Sequence, residues 1–280
     1  MRKLVAIILA VLGSAVAVRA QQAVLDSLVG KDLWNGPSET DIRKLDGFLG
    51  VVVSDPLGQP RPWHVWKTTD DGQSRYVVLL GAPEWMIPGN SSACVAVFDG
   101  RGSRLRSWCF QTGWRGTLRS ASLGYYKQTE HDLIVINMSR FINGRNIAKE
   151  YFALSHGRLR FIRMEDDRGM AVQNEYIYPN YEIGVVPEAK SVEEWLNLLG
   201  SSDPADVLSA LMFLGGRHLA EPERRFVSEP KESKYAGLFQ QLIGDPRIRA
   251  AVERLRQSDN QWVREAAGLA ARGPRDRPLY

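Results

Sequence analysis

Two cysteines, Cys94 and Cys109, are the residues of this 280-residue chain whose spacing points most directly to a covalent bond. They flank a stretch typical of a β-hairpin, with a turn at 100–103. If Cys94 faces Cys109 across the hairpin, Asp99 faces Arg104 and a disulfide can form. A disulfide that closes a loop of this length contributes about 3 kcal/mol to stability. We expect this disulfide; the alternative is a pair of buried free thiols.

The polar residues that enzymes use form no catalytic motif. The serines lack a Gly-x-Ser-x-Gly elbow, and no glycine-rich loop joins a strand to a helix. The acidic segments 70–71 and 165–167 are typical of solvated turns, because neither has the spaced aspartates of a calcium loop. No histidine has a second one at metal-ligand spacing; the four are His64, His131, His156 and His218. We expect no cofactor, no metal and no catalysis, and the alternative is an enzyme assembled from distant loops.

Tryptophan is the one unusual feature of the composition, because five of the eight lie between positions 63 and 114. Exposed tryptophans make good binding platforms. In the hairpin register above, Trp108 lies on the face opposite to the cysteines, beside Arg104 and Arg106. Packing in a core and a cation–π ladder without a ligand are the alternatives. The candidate binding surface comprises Trp63, Trp66, Trp85, Arg104, Arg106, Trp108 and Trp114.

The first twenty residues are typical of a secretory signal peptide. Arg2 and Lys3 precede an apolar stretch over 4–18, and small residues offer cleavage sites at 15–17 or at 18–20. The stretch is shorter than the ~20 residues that a membrane span needs, although a membrane anchor is the alternative. No later apolar run is long enough to cross a bilayer. We predict export to the periplasm or to the outside of the cell.

The charge of the chain argues against nucleic acid as a partner. The formal net charge is +4, but three of the basic residues, Arg2, Lys3 and Arg19, lie in the predicted leader. Without them, 33 basic residues balance 32 acidic ones. A nucleic-acid-binding protein is expected to show a clear basic excess.

Most of the predicted exported chain is rich in strand patterns. Short helices are predicted within 21–50, and period-two alternation from about Trp63 to Gly184 predicts seven or eight short strands with turns between them. The turns include 70–72 and 155–157, and the last strong strand runs over 171–178. This pattern indicates an antiparallel domain, either a sandwich or a partly open barrel.

The pattern becomes helical from Ser191 onward. Ser191, Asp203-Pro204 and Asp245-Pro246 have the residue types of helix starts, and 258–259 precede a further helix. The two Asp-Pro starts lie 42 residues apart, which is typical of HEAT-type helical repeats. The predicted α+β chain therefore comprises a signal peptide (1–20), a β-rich domain with short N-terminal helices (21–190), a helical domain (191–272) and a flexible tail (273–280).

Residues 258–271 contain an acidic cap, the step Val263-Arg264 and paired alanines. Residues 202–215 are a degenerate copy, in which Val207 matches Val263 but Leu208 replaces the arginine. With these features the segment 191–272 resembles the bacterial HEAT-like repeat. The resemblance implies a surface that binds proteins and no catalysis of its own. A plain helical bundle is the alternative.

Taken together, these patterns predict an exported, non-catalytic binding or scaffolding protein of the cell envelope with a protein partner. Carbohydrate or cell-wall binding by the tryptophan-rich domain is an alternative function. Neither a nucleic-acid partner nor a membrane span after removal of the leader is expected.

Overall fold

The computed structural model describes residues 21–31, 33, 61–81, 92–111, 117–142, 145–172, 189–215 and 236–272. The fold is mixed α and β with antiparallel sheets, as the sequence predicts. It divides into two compact units, Met1–Phe110 and Gln111–Tyr280. The predicted boundary at residue 190 separates strands from helices. The boundary between the compact units lies instead between the two sheets, because the later helices pack on the second sheet and belong to the same unit.

The first unit holds a helix and a four-stranded antiparallel meander. The helix α1 covers residues 21–28. The sheet has the order β1-β2-β3-β4, with strands β1 (Arg61–Asp70), β2 (Gln73–Gly81), β3 (Ser92–Asp99) and β4 (Arg104–Gln111). Asp71 and Gly72 join β1 to β2 with positive φ angles of 51° and 72°, which confirms the predicted turn. Two such residues are typical of the tight turn whose twist suits a hairpin.

Helix α1 packs on one face of this sheet. Leu25 and Leu28 are fully buried in a cluster with β-strand side chains, which are Val65, Tyr76, Val78, Ala96 and Phe98. The Asp26 carboxylate accepts hydrogen bonds from Lys67 Nζ at 2.8 Å and from Tyr76 Oη at 2.7 Å. A helix over these residues was expected from the sequence, and it holds the chain against β1 and β2.

The turn between β3 and β4 differs by one residue from the predicted register. The Asp99 amide donates to the Ser103 carbonyl at 2.9 Å, and the Gly102 amide donates to the Asp99 carbonyl at 3.0 Å. Gly102 has φ +85°, so it supplies the left-handed residue of a three-residue loop with a bulge. Asp99 therefore lies opposite Ser103, and the prediction that it faces Arg104 is wrong.

This register bears on the predicted disulfide. Continued without a second bulge, it pairs position 94 with position 108 and not with position 109. A bond between Cys94 and Cys109 therefore needs a further shift of one residue along the hairpin. The side chains of both cysteines lie outside the described residues, so the disulfide stays a prediction.

The second sheet is another antiparallel meander, of order β5-β6-β7-β8. Its strands are β5 (Thr117–Tyr126), β6 (His131–Ile142), β7 (Arg145–Ser155) and β8 (Arg158–Asp166). His156 and Gly157 form the predicted turn between β7 and β8 with positive φ angles. Of the predicted last strand, Ala171 bridges to Glu165 and the Val172 amide donates to the Met164 carbonyl at 3.0 Å. Residues 173–178 lie outside the described residues.

Five helices follow, namely α2 (Val192–Leu199), α3 (Pro204–Leu214), α4 (Ala236–Gly244), α5 (Pro246–Leu255) and α6 (Gln261–Ala271). Ser191, Asp203 and Asp245 are the N-caps of α2, α3 and α5, as predicted. The cap of α6 is Asn260, whose side chain accepts from the Val263 amide at 3.2 Å, and not the acidic Asp259. A side-chain oxygen at the cap satisfies an amide that has no partner within the helix.

The helices pack as two pairs. Helix α2 contacts α3, and α5 contacts α6, while α2 also lies on α5 and α3 on α6. Helix α3 packs against β8 as well, and its residues 205 and 207–214 are all buried. A helix that is apolar on every side lies in the interior of a domain. No helix among the described residues is long and apolar enough to cross a membrane.

We expect Leu28→Ala to destabilise the first unit by about 2–5 kcal/mol, because it leaves a cavity between α1 and the sheet. Ser27→Ala is the matched control on the same helix, since Ser27 is exposed and its hydroxyl bonds only to the Val24 carbonyl among the described contacts. Urea unfolding of the two variants measures the difference. Equal stability of both would contradict the docking of α1.

Candidate functional site

The carboxylate of Asp203 gathers polar groups from three elements of the second unit. It caps α3 by accepting from the Ala205 amide at 2.8 Å. Its Oδ1 lies 3.0 Å from His131 Nε2 at the start of β6, and its Oδ2 accepts from Ser155 Oγ at 3.0 Å at the end of β7. Helix α3 thereby meets the sheet at a fixed point, although His131 and Asp203 are 72 positions apart in the chain.

Arg160 on β8 completes this group, which we call the Asp203 cluster (His131, Ser155, Arg160, Asp203 and Asp206). Its guanidinium pairs with Asp206 Oδ1 and lies 3.7 Å from Asp203 Oδ2. Ser201 Oγ donates to Asp206 Oδ2 at 2.9 Å. The side chains of Arg160, Asp203 and Asp206 are only 13–16% exposed. Ion pairs shielded to this degree are screened by salt far less than pairs on an open surface.

The Asp203 cluster has the residue types of a hydrolase triad but not its order. In a triad the histidine stands between the serine and the aspartate and takes the serine proton. Here the serine donates directly to Asp203. Burial alone would raise the pKa of Asp203, but hydrogen bonds from His131, the Ala205 amide and Ser155 outweigh it and lower the pKa to about 2. Ser155 thus donates to the carboxylate in place of a histidine, and Asp203 joins helix α3 to strands β6 and β7.

A second contact between sheet and helix forms around Trp262 of α6. The guanidinium carbon of Arg163 lies 4.7 Å from the centre of the Trp262 ring. Arg163 Nε donates to Glu165 at 2.7 Å, and its Nη1 donates to Glu265 of α6 at 2.7 Å. Arg163 is 6% exposed, so one buried cation is satisfied by two carboxylates and an aromatic face.

Two tyrosines pack beside Trp262. Tyr151 packs edge-on against Trp262 with ring centres 5.1 Å apart, and its hydroxyl donates to Glu165 at 2.8 Å. Tyr126 packs edge-on against Tyr151 at 5.5 Å. Burial and the hydrogen bond to Glu165 raise the pKa of Tyr151, so this phenol stays protonated as a donor. Arg163 and these three aromatic rings therefore form one packed group between helix α6 and the sheet.

The outer helices α2 and α5 both carry exposed charges. Arg247 of α5 donates to Asp245 and, at 2.9 Å, to Glu193 of α2. Arg247 and Glu193 are largely open to water, so the ion pair between them adds little stability. The exposed residues of α5 and its end are Pro246, Arg247, Arg249, Ala250, Glu253, Arg254, Arg256 and Gln257. This layer is polar and mostly basic.

The arginine of the Val263-Arg264 step has a structural role. Its Nη1 donates to the carbonyls of Ser258 and Asp259 at 2.6 and 2.7 Å. Arg264 thus holds the loop before α6 in place. Asn260 of the same loop donates to the Gln128 carbonyl at 2.6 Å, which ties the loop to the turn between β5 and β6.

Trp66 is the member of the predicted tryptophan surface whose side chain the structure describes. It is half-buried and stacks on His64 with ring centres 5.4 Å apart and planes tilted by 22°. The backbones of Trp63, Arg104, Arg106 and Trp108 lie in β1 and β4, but their side chains are outside the described part. Trp85 and Trp114 lie outside the described residues altogether. The grouping of these residues therefore stays a prediction.

The sequence did not predict that the residues of either cluster lie together. It identified Asp203 as a helix start and predicted the helix that contains Trp262, but their partners come from strands far away in the chain. The one available signal was the presence of polar residues, Ser155 and Arg163, within strands that otherwise predict a buried sheet. Within the described ranges, no group of three or more side chains of the metal-binding types is close enough to hold a metal ion.

We expect Asp203→Ala to cost about 3 kcal/mol, because it removes a cap and leaves His131, Ser155 and Arg160 without their shared acceptor. Asp245→Ala is the matched control: it removes the same kind of cap before a proline, but its partner Arg247 is exposed. That loss should be about 1 kcal/mol. Denaturant unfolding of both variants measures the difference, and equal losses would show that the cluster adds nothing beyond capping.

Acid should weaken the same junction in a defined range. Because the pKa of Asp203 is lowered from 3.8 to about 2, its contribution is complete above pH 4 and is lost as the pH falls towards 2. The loss amounts to about 2 kcal/mol. Asp203→Asn keeps the cap but does not titrate, so its stability should fall less than that of the parent over this range. Parallel acid profiles for the two proteins would contradict this assignment.

Comparison with known proteins gives no relative of this chain. No protein-family model, no curated protein and no solved structure matches it. The resemblance of 191–272 to HEAT-like repeats rests on the sequence features alone. What the protein does must therefore be argued from its own residues and their arrangement.

Proposed function

We propose that this protein is exported and acts as a non-catalytic binding or scaffolding protein of the cell envelope, in the periplasm or outside the cell. Its partner is another protein, contacted through the helical part of the second unit. The leader-like first twenty residues and the balanced charge of the remaining chain support this proposal. The polar cluster around Asp203 supports it too, since it holds elements together without activating a nucleophile.

The single observation that carries the proposal is the stacking of two helix pairs, α2–α3 on α5–α6. Equivalent helices lie side by side, as in helical repeats, where each unit buries its apolar face against the next. The caps Ser191 and Asp245 begin the first helices of the pairs, and Asp203 and Asn260 begin the second. We propose on this basis that 191–272 is a HEAT-like repeat region.

The pairing also changes the assignment of the repeat. Asp203 and Asp245 start helices that occupy different places in the two pairs, so their 42-residue spacing is not the period. The comparison of 202–215 with 258–271 instead matches α3 with α6, which do lie against each other. Equivalent caps are 54 and 57 positions apart, because helix α4 and the segment before it fall between the pairs.

For the β-rich part we propose a sandwich or a partly open barrel that precedes the helical domain. Both faces of the first sheet are buried: Tyr76 and Val78 on the side of α1, and Val77 and Leu79 on the other. In the second sheet, Tyr151 on the helix side is buried, as are Phe152 and Phe161 on the opposite side. Sheets covered on both faces are expected in a layered domain.

The packing of the helices on the second sheet leaves one side of the helical region open to a partner. Helices α3 and α6 contact the second sheet, so the inner side of the repeat is already used. The outer side, formed by α2 and α5, keeps exposed residues such as Glu193, Arg249 and Arg254. A partner is therefore expected to contact the outer side, where charged groups would set its specificity.

Cross-linked affinity purification from the native envelope tests this proposal in the full chain. Arg249→Glu with Arg254→Glu should remove the captured partner, because the variant reverses two exposed charges of α5. Lys127→Glu with Arg168→Glu is the matched control, since it makes the same charge change on exposed turns of the second sheet. Point variants are preferable to deletion of 191–280, which would strip Asp203 and Trp262 from the sheet.

Loss of a specific partner in the first variant, and its retention in the control, would support the proposal. No enriched protein with any of the three chains would contradict it. Glycan binding by the same protein would then favour the carbohydrate alternative.

A further inference from the structure

We propose that Gln21 is a modification site, at which the exported chain closes its own N-terminus as pyroglutamate. The inference rests on the proposed export and on cleavage directly after Ala20, the second of the two small-residue sites in the leader. It concerns the chemical state of the protein after export and not the partner that it binds.

The chemistry requires a glutamine that carries a free α-amine. The amine nitrogen of Gln21 attacks the side-chain carbonyl carbon Cδ, a bond between that nitrogen and Cδ forms, and the bond from Cδ to the amide nitrogen breaks. That nitrogen leaves as ammonia with a proton taken from the amine. No oxidant, metal or cofactor takes part. Gln22 cannot react in this way, because its backbone nitrogen belongs to a peptide bond whose lone pair is delocalised.

The fold leaves the reacting side chain accessible. Gln21 is exposed, while the rest of α1 is held down by the buried residues Leu25 and Leu28 and by the bonds of Asp26. The turn at Gly102 lies against the backbone of Gln21 and Gln22. A Cβ atom placed on Gly102 would lie 3.1 Å from both the carbonyl carbon and the Cβ of Gln21. These contacts position the backbone of Gln21 and do not enclose its amide.

Cyclisation also suits the position of Gln21 in α1. After cleavage this residue is the first of the helix, where an α-ammonium is unfavourable because the helix dipole has its positive end there. The lactam removes that charge. Its five-membered ring resembles that of proline, which is tolerated in the first helical turn because amides there have no acceptor within the helix. The modified end is therefore compatible with the docked helix.

Mass spectrometry of the full protein purified from its native envelope tests the proposal. The N-terminal peptide should begin at Gln21 and should be lighter than the unmodified peptide by one ammonia, with Gln22 unchanged. Because aminopeptidases need a free α-amine, the protein should resist trimming by such an enzyme. Gln21→Ala is the matched variant: it should keep a free amine and lose residues under the same treatment.

Two results would overturn the proposal in distinguishable ways. If the peptide from the native protein begins at Gln21 but has not lost ammonia, export stands and cyclisation does not. If the peptide begins at another residue, Gln21 is not the site, and a chain that retains Met1 contradicts the proposed export as well.

Discussion

The carboxylate of Asp203 is the group on which the second unit depends. It caps the N-terminus of helix α3, accepts a hydrogen bond from Ser155 and faces His131. One charged side chain therefore defines where α3 meets the sheet. A buried carboxylate is stable only when enough donors surround it, and here the donors outweigh the cost of burial. The hydrogen bonds that fix the position of Asp203 also stabilise its charged form, so they lower the basicity of the carboxylate.

The cation of Arg163 plays the complementary role at α6. Two carboxylates, Glu165 and Glu265, and the face of Trp262 surround it, so the second inner helix is tied to the sheet by charge as well as by apolar packing. Away from both carboxylates the buried guanidinium would have no charged partner, so Arg163 is confined to this position. Together the two clusters fix α3 and α6, and they leave the outer helices as the polar surface of the unit.

In the first unit, too, apolar burial and hydrogen bonds have different roles. Apolar burial of Leu25 and Leu28 places α1 on the sheet, and the bonds of Asp26 to Lys67 and Tyr76 fix its position. Packing alone is non-directional, whereas hydrogen bonds require particular atoms to meet. Each unit therefore relies on a charged or polar group to orient a helix that hydrophobic burial holds in place.

The sequence by itself determined the local structure: the turns at Asp71-Gly72 and His156-Gly157, the caps Ser191 and Asp203, and the α+β composition. These depend on residue type and short spacing, which a single segment contains. The register predicted for the hairpin at Asp99 is wrong by one residue. A bulge at Gly102 costs little energy locally, yet it shifts the pairing of the strands that follow by one residue. Only the tertiary structure decided which strands supply the partners of Asp203 and Trp262 and which helices pack against each other. Some of these contacts join positions more than a hundred residues apart, and no local pattern records them.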